Sequence, residues 1–124
     1  MTVELNHTIV WARDKAASAA FLTEILGLPA PAPVGPFVPV RLGNGVTLDY
    51  ADAPTVAWQH YAFLVDEAEF DAAFARIRDA GLTWYADPFQ RRPGEINHEL
   101  GGRGLYFRDP DGHNMELLTV AEAG

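Results

Sequence analysis

The sequence predicts an α+β domain built from two unequal copies of one unit, on three observations. The order strand, helix, strands occurs twice along the 124 residues. The last hairpins of the two copies align on their turns without a gap, setting Asn44-Gly45-Val46-Thr47-Leu48-Asp49 on Asp111-Gly112-His113-Asn114-Met115-Glu116. A composition of 48% apolar and 21% charged residues is that of one folded domain, expected to span 1–124 with module one at 1–55 and module two at 56–120.

In the first copy, Val3, Leu5, Ile9 and Trp11 alternate with Glu4, Asn6, Thr8 and Val10, which predicts a strand over Val3–Trp11 with His7 inside its apolar row. Asp14 is a suitable cap for a helix to about Leu26, with Ala17, Phe21, Ile25 and Leu28 at helical spacing and Gly27 as its left-handed stop. Five prolines and one glycine between Pro29 and Pro39 demand an extended connection. It opens into short strands at Val38–Leu42 and Val46–Tyr50, joined at Gly43-Asn44-Gly45, whose Asn-Gly pair is a strong hairpin signal. The second copy offers a strand at Gln59–Val65 and a helix from Asp66 to Ala80 with Phe70, Phe74 and Ile77 as its stripe, stopped at Gly81. A long Pro-, Gly-, Arg- and Asn-rich stretch, Asp87 to Gly104, precedes strands at Leu105–Arg108 and His113–Val120, which Asp109-Pro110-Asp111-Gly112 joins.

The balance of charge narrows the partners. Nine Lys and Arg against seventeen Asp and Glu leave a net charge of -8, a field that repels nucleic-acid phosphates and anionic membrane surfaces. The absence of Cys removes disulfides, thiolate zinc sites and a cysteine nucleophile. A chain this long hides roughly two-thirds of its unfolded surface, so no structural metal is needed for folding. Without a basic start or an apolar run near ~18 residues, a cytoplasmic location is expected.

The duplication also pairs residues that carry chemistry. His7 and His60 each precede a helix cap on the first strand of a copy, and Asp49 falls on Glu116 in the last strands. If equivalent positions of a doubled unit approach a local twofold axis, these four converge. Alternation puts His7 with Leu5 and Ile9, His60 with Trp58, Ala62 and Leu64, and Glu116 with Leu118 and Val120, leaving Met115 and Leu117 to face the helices. A carboxylate on an apolar wall costs several kcal/mol unless it is paired, and a divalent cation removes that penalty. Two imidazoles with one or two carboxylates suit Zn, Ni, Mn, Co or Fe(II). His7, His60 and Glu116 are the expected ligands. Asp49, shorter and with Asp52 nearby as another acceptor, is either a further ligand or a base standing off the ion, in a catalytic role with Glu116.

The run Gly104-Leu105-Tyr106-Phe107-Arg108-Asp109-Pro110-Asp111-Gly112-His113-Asn114-Met115-Glu116-Leu117 resembles the closing strand pair of the vicinal oxygen chelate superfamily. That group includes glyoxalase I, fosfomycin-resistance thiol transferases, extradiol dioxygenases and bleomycin-resistance proteins. Asn6-His7-Thr8-Ile9 and Gln59-His60-Tyr61-Ala62-Phe63-Leu64-Val65 resemble its two His ligand positions, and Glu116 its closing Glu ligand. The resemblance implies two βαβββ modules forming a cup-shaped mixed sheet around a divalent metal, in a homodimer that binds a small-molecule substrate. At position 49 the sequence departs from each subgroup, since glyoxalase I has a Glu ligand near there and the others use two His and one Glu.

Glyoxalase-like isomerase or lyase chemistry is the expectation favoured here, because two carboxylates at equivalent positions serve proton movement. An extradiol-type dioxygenase, with His98, Tyr106 or His113 over a catechol, is an alternative, as is a metal-free, bleomycin-resistance-like drug-binding protein. The 90–103 loop concentrates Arg91, Arg92, His98 and Arg103 in an acidic chain, which suits an anionic or carbonyl substrate or, equally, a solvated surface. His98, Arg103, Tyr106 and Trp58 are the expected substrate contacts, with Trp11 a further pocket or core aromatic. His113, just after a turn and pointing away from Glu116, is expected to be exposed.

Overall fold

A computed structural model describes residues 2–122. Its elements are β1 (His7–Ala12), α1 (Lys15–Leu26), β2 (Val38–Arg41), β3 (Thr47–Asp52), β4 (His60–Leu64), α2 (Glu67–Asp79), β5 (Trp84–Tyr85), β6 (Gly104–Arg108) and β7 (Asn114–Leu118). They fall into two units, residues 1–57 and 58–124. No helix of the described residues is long and apolar enough to cross a membrane.

In the first unit the strand order is β1-β3-β2, with β1 parallel and β2 antiparallel to β3. Asp14 caps α1 by accepting from the Ala17 N–H at 3.1 Å, and Gly27 ends it at φ 70°. The buried face of α1 is not the expected one. Of Ala17, Phe21, Ile25 and Leu28 only Ile25 is buried, and Ser18, Ala19, Leu22 and Thr23 complete the face. Leu22 and Ile25 supply the bulk of this face, and Thr23 satisfies its own hydroxyl on the Ala20 carbonyl at 3.0 Å.

The first strand is shorter than its alternation suggests. Its partner β3 emerges from the Asn44-Gly45 turn only at Thr47, opposite His7, so Val3 and Leu5 have no ladder to join and lie exposed. This unit also has three strands where a βαβββ module has four. Between α1 and β2 there is only a single Val34–Phe37 bridge, as expected where prolines remove ladder donors.

In the second unit the order is β4-β7-β6-β5, with β4 parallel to β7 and the other pairs antiparallel. Asp66 and Glu69 form a reciprocal capping box at the start of α2, at 2.7 and 2.9 Å. Phe70, Ala73 and Ile77 of α2 are buried, as are Phe63, Leu105, Phe107, Met115 and Leu117 of the strands. Phe74 is half-buried and meets the Trp84 ring edge-on at 5.1 Å.

Strand register makes the duplication explicit. Ile9 pairs with Asp49 where Ala62 pairs with Glu116, and His7 with Thr47 where His60 pairs with Asn114. The turns match atom for atom. The Leu42 N–H donates to Val46 O and the Gly45 N–H to Leu42 O, as Asp109 N–H does to His113 O and Gly112 N–H to Asp109 O. Gly45 and Gly112 have φ of 87° and 84°, the left-handed region that favours glycine.

Candidate metal centre

Parallel pairing of β4 with β7 puts Glu116 opposite Ala62, two residues along from His60 on the same face. Antiparallel pairing of β6 with β7 puts Tyr106 directly opposite Glu116. The other face carries Phe63, Met115 and Leu117, which are buried in the core. Alternation therefore separates a packed face from a chemical one. On the chemical face His60 Nε2–H donates to Glu116 Oε1 at 2.9 Å, the imidazole side chain 43% exposed and the carboxylate 15%. The Tyr106 ring lies 5.7 Å from the imidazole, and burial, the Glu116 charge and a hydrogen bond to Glu116 push its phenol far above the ordinary tyrosine range. Tyr106 thus stays a neutral proton donor beside an acceptor.

An imidazole nitrogen and a carboxylate oxygen converging at one point, one of them open to solvent, are a borderline donor pair of the kind that divalent ions take. The donor chemistry fits such an ion. In the first unit, His7 and Asp49 hold the equivalent places, with His7 Nδ1–H donating to Asn6 Oδ1 at 2.7 Å. Opposite Asp49 on β2 stands Pro39, where the second unit has Tyr106. Among the described residues no three His, Asp or Glu side chains gather closely enough to hold an ion. Of the expected set, His60 and Glu116 come together.

A small pocket of about 30 Å³ opens beside Glu116, between the 97–103 loop and the end of β7. Arg103 borders it, but its charge is already engaged. Its Nη1 pairs with Asp71 at 2.8 Å, its Nε with Glu67 at 3.2 Å, and its guanidinium stacks 4.3 Å over Phe70. These acidic partners hold the guanidinium above its ordinary value. Arg103 therefore anchors the loop to α2 while it borders the pocket. His98 is exposed and donates from Nδ1 to Gly102 O at 3.0 Å; Trp58 is 61% exposed.

The stretch from Asp87 is not structureless. The Asp87 carboxylate accepts the backbone N–H groups of Phe89, Arg91 and Arg92, which outweigh its desolvation and hold it below the usual carboxylate range. Arg92 lies 3.6 Å from Glu95. Asn97 pairs with Gly104 and donates from Nδ2 to Ala86 O at 2.8 Å.

His113, expected to be exposed, is 1% exposed: it falls on the side opposite Glu116, with Met115 and Leu117, which are fully buried. Its Nδ1 accepts the Gln59 N–H at 2.9 Å. Gln59 was absent from the expected residues; its bond spans 54 positions and leaves no local signal.

A repeated strand–helix–strands unit bearing a His on its first strand and a carboxylate on its last defines a class. The chain belongs to the Glyoxalase/Bleomycin resistance protein/Dioxygenase superfamily, whose model matches residues 4–117. It is 57% identical to the solved structure of Oxidase ChaP-H1, at a TM-score of 0.96 over 99% of this chain and 100% of that one. It is 61% identical to Oxidase ChaP-H2, also at 0.96, over 100% of this chain and 98% of that one. Glutathione transferase FosA of Serratia marcescens is 31% identical over 124 residues, 94% of this chain and 81% of that protein.

Proposed function

We propose that the protein is a divalent-metal-dependent oxidase acting on a small substrate that offers two neighbouring oxygens. The observation that carries this reading is identity of 57% and 61%, over nearly the whole chain, to two proteins called oxidases. It replaces isomerase or lyase chemistry as the favoured activity, since the relatives compared are oxidases and a transferase.

The proposed ligands are His7, His60 and Glu116. Convergence of His60 and Glu116 supports two of them, and the matching register of β1 with β3 supports His7. A bound divalent ion would polarise the substrate oxygens and lower the cost of their deprotonation. The chain's own part is to place protons: burial and the Glu116 charge keep the Tyr106 hydroxyl protonated, and it donates a hydrogen bond to Glu116. Trp58 and His98, both exposed, are the proposed substrate contacts. A homodimer is part of the proposal, as an arrangement typical of the family whose model matches.

Metal analysis of the wild type beside His60→Ala and Glu116→Ala, with oxygen uptake measured on catechols and quinols, tests the reading. Metal in the wild type, its loss in both variants and oxygen uptake by the loaded wild type are expected. Equal metal content in all three folded proteins would overturn the ligands. A metal-free wild type that binds a cationic drug tightly would point to sequestration instead.

A further inference from the structure

We infer that His113 is a positioning residue for the metal centre: its buried imidazole holds the backbone just before His60 and so sets where that ligand stands. The inference rests on the proposed metal site and concerns how the chain builds it. Gln59 precedes His60 directly. Both of its backbone groups are taken by the β6–β7 hairpin, the N–H by His113 Nδ1 at 2.9 Å and the C=O by the Asn114 N–H at 2.8 Å. The hairpin end is itself rigid, because Asp109 Oδ1 accepts the N–H groups of Asp111 at 3.0 Å and His113 at 2.8 Å. Asn114 ties the same end to Pro88 O at 3.1 Å. The imidazole is 1% exposed and meets the Tyr61 ring edge-on at 5.5 Å, so it has one tautomer compatible with its partner, with Nδ1 unprotonated.

The comparison between the units isolates this contact. In the first unit the Thr47 N–H bonds to Asn6 O just as the Asn114 N–H bonds to Gln59 O, so the backbone clamp is common to both. The position equivalent to His113 is Val46, which has no side-chain acceptor. A side-chain clamp thus stands in the unit whose His and carboxylate converge. Ligand placement to a fraction of an ångström decides metal affinity, and loss of an orienting partner commonly costs 10–100-fold.

The test is titration of the metal-free protein with Mn2+ or Co2+ for the wild type, His113→Leu, His113→Asn and the core control Leu117→Ala, with thermal unfolding of each. The Asn carboxamide oxygen sits one bond beyond Cγ, as Nδ1 does, and can accept the Gln59 N–H; Leu cannot. His113→Leu is expected to weaken metal binding about tenfold or more, and His113→Asn to restore it to within about threefold of wild type. Leu117→Ala is expected to lower stability comparably with little change in affinity. Equal affinity in His113→Leu and wild type, or equal weakening in Leu117→Ala, would overturn the positioning role while leaving the metal site standing. A wild type that binds neither ion would overturn the metal site itself. Should His113→Leu not fold, nitrogen NMR of wild-type His113 decides: an unprotonated Nδ1 beside a slowly exchanging Gln59 amide supports the clamp, and a protonated Nδ1 overturns it.

Discussion

Replacing Glu116 by Gln separates a ligand from a structural residue, because the two roles predict opposite outcomes. In the structure the carboxylate accepts from His60 and Tyr106 while only 15% exposed. The isosteric amide still offers an oxygen to one donor, so a charge-assisted bond weakens by about 1 kcal/mol. Removing a partly desolvated negative charge from a chain of net charge -8 acts in the other direction. Metal-free stability should therefore change by less than about 1 kcal/mol. The metal-loaded protein should behave differently. At an ion concentration about 100 times Kd, binding adds about 2.7 kcal/mol. Unfolding entropy near 2.1 cal/mol/K per residue turns that into a Tm rise of roughly 10 °C for a domain of this size. Differential scanning calorimetry with and without Mn2+ should show this rise in the wild type and not in Glu116→Gln. A variant that loses several kcal/mol without metal, or keeps the full rise with it, would refute the ligand role.

Other substitutions probe the supports. Asp66→Ala removes the capping box of α2 and should cost about 1 kcal/mol in chemical denaturation. Gly102→Ala would drive a Cβ into the Thr119 hydroxyl and against Val120 Cγ2 at 2.6 Å, so it should cost about 1–3 kcal/mol and perturb the pocket beside Glu116. Arg103→Met keeps much of the stem but loses pairs to Glu67 and Asp71 that are 60% and 67% exposed, so about 1 kcal/mol is expected, with loop protection from amide exchange reduced. Burial first, then the Glu116 charge and hydrogen bond, raise the folded-state pKa of Tyr106; its contribution is complete below pH 10 and is lost as pH rises beyond it. Stability should fall by about 1 kcal/mol between pH 10 and 11 from this one group. Tyr106→Phe should remove that slope in urea titrations between pH 10 and 11.

Local signals carried most of the fold. The Asp14 and Asp66 caps, the Gly27 and Gly81 stops and the two glycine turns are chemistry within a few residues, and each appears where it was expected. Alignment of Asp49 with Glu116 was legible for the same reason, since ungapped hairpins preserve register. What escaped was long-range. Arg103 pairs with Glu67 across 36 positions, and nothing in the loop announces that α2 offers two carboxylates there. His113 is a different failure. Alternation from Met115 and Leu117 already placed it on the helix-facing side, but its closeness to a turn suggested solvent.

The inequality of the two units follows from a few side chains laid on one backbone plan. A carboxylate midway along the last strand of each unit faces a residue on the neighbouring antiparallel strand: Pro39 for Asp49, Tyr106 for Glu116. Proline has no donor to give, so Asp49 receives none from across the strand; the Tyr106 hydroxyl supplies one to Glu116 and stays neutral to do so. The extra methylene of Glu extends its reach, and Glu116 meets the imidazole two residues along on β4. At the turn, Val46 contributes bulk where His113 contributes an acceptor. Each difference moves polar function toward the second unit at a position where the first keeps a residue suited to extended backbone or packing. A duplicated fold thus needs no new topology to become one-sided; substitutions at equivalent register positions suffice.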